Sequence, residues 1–221
     1  RLLLPRLARP DPYMRVCVLL TESLCEHHPW QRVAELAIQG GADGIQLREK
    51  NLADSELLDR VRWLVTLTRQ AGVRVIVNDR PDIAALAQAD GVHLGQTDLA
   101  PNEARSIVGP HRLVGVTTSS VREARRAFDA SADMVGVGPI FASSTKPKPG
   151  LGGLDLIRAF EADEMLAGKP YLAISGIGVD EAKKLGEGVA VSSAVCSARE
   201  PETVVRAIRA ALCTRAPEEA H

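Results

Sequence analysis

The sequence predicts an α/β fold, a single (β/α)8 barrel of the TIM type. Three observations point to it. Eight short β-rich runs succeed one another along 221 residues, amphipathic segments lie between them, and each β–α unit occupies about 25 residues.

In order, the β-rich runs are Val16-Cys17-Val18-Leu19-Leu20, Gly44-Ile45-Gln46-Leu47-Arg48, Arg74-Val75-Ile76-Val77-Asn78 and Gly91-Val92-His93-Leu94-Gly95. The second four are Leu113-Val114-Gly115-Val116-Thr117, Met134-Val135-Gly136-Val137-Gly138, Tyr171-Leu172-Ala173-Ile174-Ser175 and Val189-Ala190-Val191-Ser192. Apolar residues recur at steps of three and four in Trp30 to Gln39, Ser55 to Ala71, Pro101 to Val108, Val121 to Asp129 and Glu202 to Leu212, which reads as helix. An open dinucleotide-binding sheet would need G-x-G-x-x-G opening a helix; Gly136-Val137-Gly138-Pro139-Ile140-Phe141 lacks the third glycine and carries a proline in the turn. The barrel is expected over 16–213, with an irregular lead-in at 1–15 marked by Pro5, Pro10 and Pro12, and a polar tail at 214–221.

Composition narrows the function. The 27 Lys and Arg against 28 Asp and Glu leave a formal charge of −1, which disfavours general binding to nucleic acid or anionic membranes. No apolar run approaches the roughly 20 residues of a membrane span, and Leu2-Leu3-Leu4 ends at Pro5, too short for a signal-peptide core. A cytoplasmic protein is expected. Cys17, Cys25, Cys196 and Cys213 lack C-x-x-C spacing and read as reduced, structural residues.

Barrel enzymes place their chemistry at the C-terminal strand ends. After strand two, Gln46, Arg48 and Lys50 share one face if the strand stays extended, putting two cations and an amide together for a phosphate-rich ligand. A solvated Arg-Glu-Lys patch is the plainer reading. Strand three ends in Asn78-Asp79-Arg80 and strand four in Gly95-Gln96-Thr97-Asp98, so Asp79 and Asp98 lie at adjacent strand ends, where two carboxylates suit Mg²⁺. Singly, Asp79 reads as part of an Asp-Arg turn and Asp98 as a helix cap. Zinc is disfavoured, because His93 sits mid-strand and His27 and His28 lie away from these ends. The segment from Gly138 to Gly153, rich in hydroxyls and lysine, fits a phosphate-closing flap. Ser175-Gly176-Ile177-Gly178 and Ser192-Ser193-Ala194 follow strands seven and eight, where these barrels commonly hold phosphate.

Taken in register, Gln46-Leu47-Arg48-Glu49-Lys50, Val77-Asn78-Asp79-Arg80, Gly91 to Asp98, Gly136 to Phe141 with Thr145-Lys146, and the Ser175-Gly176-Ile177 turn resemble the thiamine phosphate synthase family from about Val16 to Leu212. The resemblance implies a transferase joining 4-amino-2-methyl-5-hydroxymethylpyrimidine diphosphate to 4-methyl-5-(2-hydroxyethyl)thiazole phosphate, with pyrophosphate released. It implies that Gln46, Arg48, Lys50, Asn78 and Lys146 bind the diphosphate, with Thr117 near the reacting end and Asp79 and Asp98 holding Mg²⁺. Arg48, Lys50, Lys146 and Thr117 are then the expected catalytic residues. Ser143, Thr145, Gly176, Ser192 and Ser193 would receive the thiazole phosphate. Partners are the two small substrates, with no nucleic acid and no membrane, and a homo-oligomer stays open. Ser119 stands where the family usually has His, and Ser175 and Ser192 depart from its usual Gly and apolar residue.

Two other functions compete. A thiazole tautomerase of the same fold would be expected to lose the cations and acids and to use a His after strand five, where this chain has Ser119. A non-catalytic barrel that binds thiamine phosphate would have no need of metal ligands.

Overall fold

The computed structural model describes residues 9–142, 152–186 and 188–213. Eight strands run in chain order: β1 (Val16–Leu20), β2 (Gly44–Leu47), β3 (Arg74–Asn78), β4 (Gly91–Leu94), β5 (Leu113–Thr118), β6 (Met134–Val137), β7 (Tyr171–Ile174) and β8 (Val189–Val191). The helices are α1 (Trp30–Gln39), α2 (Asp54–Thr68), α3 (Pro81–Leu86), α4 (Pro101–Val108), α5 (Val121–Asp129), α6 (Gly153–Glu161), α7 (Val179–Ala182), α8 (Ser193–Cys196) and α9 (Pro201–Cys213). All strand pairs are parallel, and β1 pairs with both β2 and β8, closing the barrel.

Strands buried on both faces read as continuous apolar runs, and all five residues of β1 are buried. Their side chains alternate between two cores. The outward set, including Val18, Ile45, Val77, Val92 and Val135, packs against the helices. The inward set forms a separate cluster of Met14, Cys17, Leu19, Met134, Leu172 and Ala190 inside the barrel. Further along the same inward rows stand Gln46, Asn78, His93 and Thr117. The lower interior is thus apolar and the upper interior polar.

Local signals set the helix ends. Pro81 and Pro101 open α3 and α4, where a missing N–H costs nothing. Ser120 caps α5 by accepting from the Glu123 N–H at 3.2 Å. Helix α2 stops at Thr68, three residues before the sequence pattern ends, as the chain turns into Gly72 at φ +70°. Several strands are one residue shorter than the pattern because Arg48, Gly95, Gly138, Ser175 and Ser192 have already left the ladder for the mouth loops.

The opposite end of the barrel carries a repeated device. Asp43, Asp90 and Asp133 each follow an alanine and precede an even-numbered strand. The Asp43 carboxylate accepts from the Val16 N–H at 2.9 Å, that of Asp90 from Val75 at 2.8 Å and that of Asp133 from Val114 at 2.8 Å. Each thus satisfies a backbone donor near the start of the preceding odd strand. Among the described residues no helix is long and apolar enough to cross a membrane.

Candidate active site

The C-terminal strand ends surround a cavity of about 520 Å³. All the described residues among those expected to act line it: Gln46, Arg48, Lys50, Asn78, Asp79, Asp98, Thr117, Gly176, Ser192 and Ser193. Ser143, Thr145 and Lys146 lie outside the described residues.

Strand β2 contributes Gln46, only 5% exposed, and delivers Arg48 and Lys50 just past its end. The Lys50 ammonium lies 3.2 Å from Asp79 Oδ2. Asp79 has φ +64°, a left-handed conformation that a short polar residue tolerates, and its N–H donates to His93 O at 2.8 Å. Its carboxyl is pushed above the usual carboxylate range, chiefly by burial, then by a hydrogen bond with Asp98 and that group's charge, with Lys50 opposing. Asp98 thus opposes the ionisation of Asp79, and the two carboxyls together form a pocket a hard cation would satisfy. No group of three or more His, Cys, Asp or Glu side chains that could hold a metal occurs among the described residues. Ligand oxygens and water would have to complete the shell.

The simpler readings of these acids describe their contacts in part, since Asp79 is the centre of a tight turn in which the Arg80 N–H donates to Asn78 O at 2.8 Å. Arg80 turns away from Asp79 to Asp82, at 2.9 and 2.6 Å, and to Asp54 at 2.6 Å. Asp98 does not cap α4. It accepts from the Gly95 N–H at 2.6 Å, while Glu103 caps α4 by accepting from the Ala100 N–H at 2.9 Å.

Strands β4 and β5 supply His93 and Thr117, joined at 2.8 Å between Nε2 and Oγ1. The imidazole fits because β5 carries Gly115 beside it: a Cβ there would lie 2.7 Å from His93 Nδ1. Burial depresses the His93 pKa to about 4, against a smaller opposing effect of Asp98.

Across the mouth, the loop after β7 bends through Ser175 at φ +87° and Gly176 at φ +65°. A Cβ on Gly176 would sit 2.2 Å from Ala142 O, so only glycine lets the two loops approach. The Ser192 hydroxyl donates to Leu19 O at 2.9 Å, which leaves it to accept rather than donate toward a ligand. The backbone N–H groups of Ser193 and Ala194 open α8, where N–H groups have no partner within the helix.

Residues that the motifs did not single out share the cavity wall: Thr21, Ser23 and Leu24 after β1, and Gln96, whose Nε2 donates to Thr117 O. Thr21 and Ser23 could have been found by asking what β1, like every other strand, leaves at its C-terminal end. Ser119 spends its hydroxyl on Glu123 Oε2 at 2.9 Å, beside the cap of α5.

The family model described as thiamine monophosphate synthase matches residues 16–198. The chain belongs to the thiamine monophosphate synthase family. Among its relatives, the thiamine-phosphate synthase of Moorella thermoacetica is 40% identical over 203 residues, covering 90% of this chain and 95% of that protein. That of Roseiflexus sp. (strain RS-1) is 39% identical over 193 residues, covering 85% and 80%. The solved thiamine phosphate pyrophosphorylase from Pyrococcus furiosus superposes with a TM-score of 0.80 at 30% identity, covering 91% of this chain and 96% of that one. Phosphoribosyl anthranilate isomerase from Thermotoga maritima, at TM-score 0.60 and 15% identity over 90% of this chain and 98% of that one, shares the fold alone. Of the motif residues quoted above, Gln46, Arg48, Lys50, Asn78, Asp79, Asp98 and Gly176 line the cavity at the mouth of this chain's barrel.

Proposed function

We propose that this chain joins 4-amino-2-methyl-5-hydroxymethylpyrimidine diphosphate to 4-methyl-5-(2-hydroxyethyl)thiazole phosphate, releasing pyrophosphate. One observation carries the reading: a single cavity has Arg48, Lys50, Asp79 and Asp98 on one side and the Gly176 and Ser193 loops on the other. That arrangement offers separate places for two phosphorylated ends.

The diphosphate would lie against Arg48 and Lys50, whose fixed charges stabilise negative charge gathering on the leaving oxygen. Gln46 and Asn78 would orient the pyrimidine, and Lys146 would add a third cation. Breaking the C–O bond first leaves a methylene cation stabilised by the aminopyrimidine ring, and the thiazole nitrogen attacks it with no proton to lose. No general base is required. Asp79 and Asp98 would hold Mg²⁺, which when bound adds positive charge to the diphosphate. Thr117, held by His93, would stand beside the reacting end. Gly176, Ser192 and Ser193, with Ser143 and Thr145, would take the thiazole phosphate, the backbone N–H of Ser193 serving better than the committed Ser192 hydroxyl. Ser119 offers no proton shuttle of the kind tautomerisation asks for.

Incubation with both phosphorylated substrates and Mg²⁺ should yield thiamine phosphate and pyrophosphate in equal amounts. Thiazole isomerisation without pyrophosphate release would reverse the reading in favour of a tautomerase; ligand binding with no turnover would make the barrel a binding module.

A further inference from the structure

The two cations proposed for the diphosphate stand on a segment that has already left the barrel: β2 ends at Leu47, and Arg48, Glu49 and Lys50 follow it toward the mouth. Three hydrogen bonds fasten this segment to the loop after β1. The Arg48 N–H donates to Leu20 O at 2.9 Å and the Thr21 hydroxyl donates to Arg48 O at 3.2 Å, so the peptide groups on both sides of Arg48 are held. The third bond comes from the side chain between the cations, where Glu49 Oε1 accepts from the Glu22 N–H at 2.6 Å. Arg48 and Lys50 line the cavity and Glu49 does not, as alternation along an extended chain requires. The Glu22 end is itself anchored. Glu22 opens a single 310 turn (Glu22–Leu24), in which the Leu24 N–H donates to Thr21 O at 3.1 Å. Its Oε2 lies 2.8 Å from Arg60 Nη1 on α2, and Arg60 Nη2 donates to Glu56 Oε1 at 2.6 Å. The Arg60 guanidinium also stands 5.1 Å from the centre of the Trp30 ring on α1. Burial raises the Glu49 carboxyl above its usual range, and the Glu22 N–H is the largest effect holding it ionised, followed by Arg60. Contacts thus run from two outer helices, through one backbone N–H, to the segment bearing the cations.

We propose that Glu49 and Thr21 are positioning residues: resting on the transferase reading, they clamp the segment carrying Arg48 and Lys50 so that both cations face the diphosphate site before the ligand arrives. Glu49 acts through an acceptor oxygen and not through its charge. A carboxylate beside two cations weakens, by charge alone, their pull on a diphosphate, so its removal on that basis would tighten binding. Removal of a clamp loosens binding, because the ligand must then order the segment itself. The sign of the effect separates the two roles.

Pyrophosphate binding in the presence of Mg²⁺ is measured by titration calorimetry for the wild type, Glu49→Ala, Glu49→Gln and Thr21→Val, beside steady-state coupling rates and melting curves. Glu49→Ala should raise the pyrophosphate Kd and the KM for the pyrimidine diphosphate about tenfold or more, with the KM for the thiazole phosphate within about twofold of wild type. Glu49→Gln keeps an oxygen acceptor for the Glu22 N–H and should stay within about threefold of wild type in both quantities. Thr21→Val has nearly the same shape without the hydroxyl; it should act in the same direction as Glu49→Ala, and it decides if that variant fails to fold. Pyrophosphate bound by the folded Ala or Val variant as tightly as by the wild type, or more tightly, would overturn the clamp. So would a Gln variant as weak as the Ala variant, or a loss of kcat with Kd and both KM values unchanged. A wild type that binds pyrophosphate without joining the substrates would overturn the transferase, while weaker binding by Glu49→Ala would still support the clamp; a wild type that binds no pyrophosphate would overturn both.

Discussion

His93 Nε2 stands 2.8 Å from Thr117 Oγ1, and this one contact binds β4 to β5 at the boundary between the apolar interior and the polar mouth. The imidazole occupies the room left by Gly115, so position and polarity are set together.

The burial of His93 gives the fold an acid sensitivity with a definite sign. His93 titrates near 4 when folded and near 6.5 when free, so the unfolded chain binds more protons between those values. Its stabilising contribution is complete above about pH 6.5 and is lost as the pH falls toward 4, by an amount on the order of 3 kcal/mol. Denaturant midpoints measured across that range should slope upward with pH. His93→Asn should flatten the slope while leaving measurable coupling activity. An unchanged slope in the variant would assign the sensitivity to other groups.

Asp79 and Asp98 are expected to matter for turnover more than for folding. Asp79→Ala removes a carboxyl that burial and Asp98 hold back from ionising, and Asp98→Ala gives up its exposed bond from the Gly95 N–H, so each should shift the melting temperature only a little without Mg²⁺. The rate with both substrates should fall at least about a hundredfold, a scale ordinary for loss of charge stabilisation. Parallel melting curves and steady-state rates test this, and a rate within threefold of wild type would remove these acids from the mechanism.

Gly176→Ala should damage the thiazole phosphate side selectively. The new Cβ meets Ala142 O in a left-handed turn, and the backbone term alone is about 1–2 kcal/mol. KM for the thiazole phosphate should rise more than KM for the pyrimidine diphosphate. Equal changes in both would place the turn outside the phosphate pocket.

Asp90→Ala should act at the other end of the barrel. It strands the buried Val75 N–H, a loss of about 1–3 kcal/mol. Chemical denaturation should register that cost while both KM values stay near wild type.

Much of this geometry is legible in the sequence because strand period and strand-end chemistry are local properties. Gln46, Arg48 and Lys50 follow from the side-chain alternation of β2 carried past its end, Asn78 from the family resemblance, and the pairing of Asp79 with Asp98 from the adjacency of their strands. Helix α7 spans only Val179–Ala182, too short for a periodic signal to stand out. The contact of Cys196 Sγ with Leu19 O is hidden for a different reason, since it needs β8 to close on β1. The engagement of the Ser192 hydroxyl with Leu19 O depends on the same closure. Ser143, Thr145 and Lys146 rest on the family motif.

The carboxylates of Asp43, Asp90 and Asp133 make β1 with β2, β3 with β4, and β5 with β6 into successive two-strand modules, each holding its own donor and acceptor. New chain ends cut between β4 and β5 would leave every such pair within one fragment, whereas ends cut between β1 and β2 would part Asp43 from Val16. The barrel is in this sense segmented in twos, and halves of four strands are the natural units for reassembly from separate polypeptides.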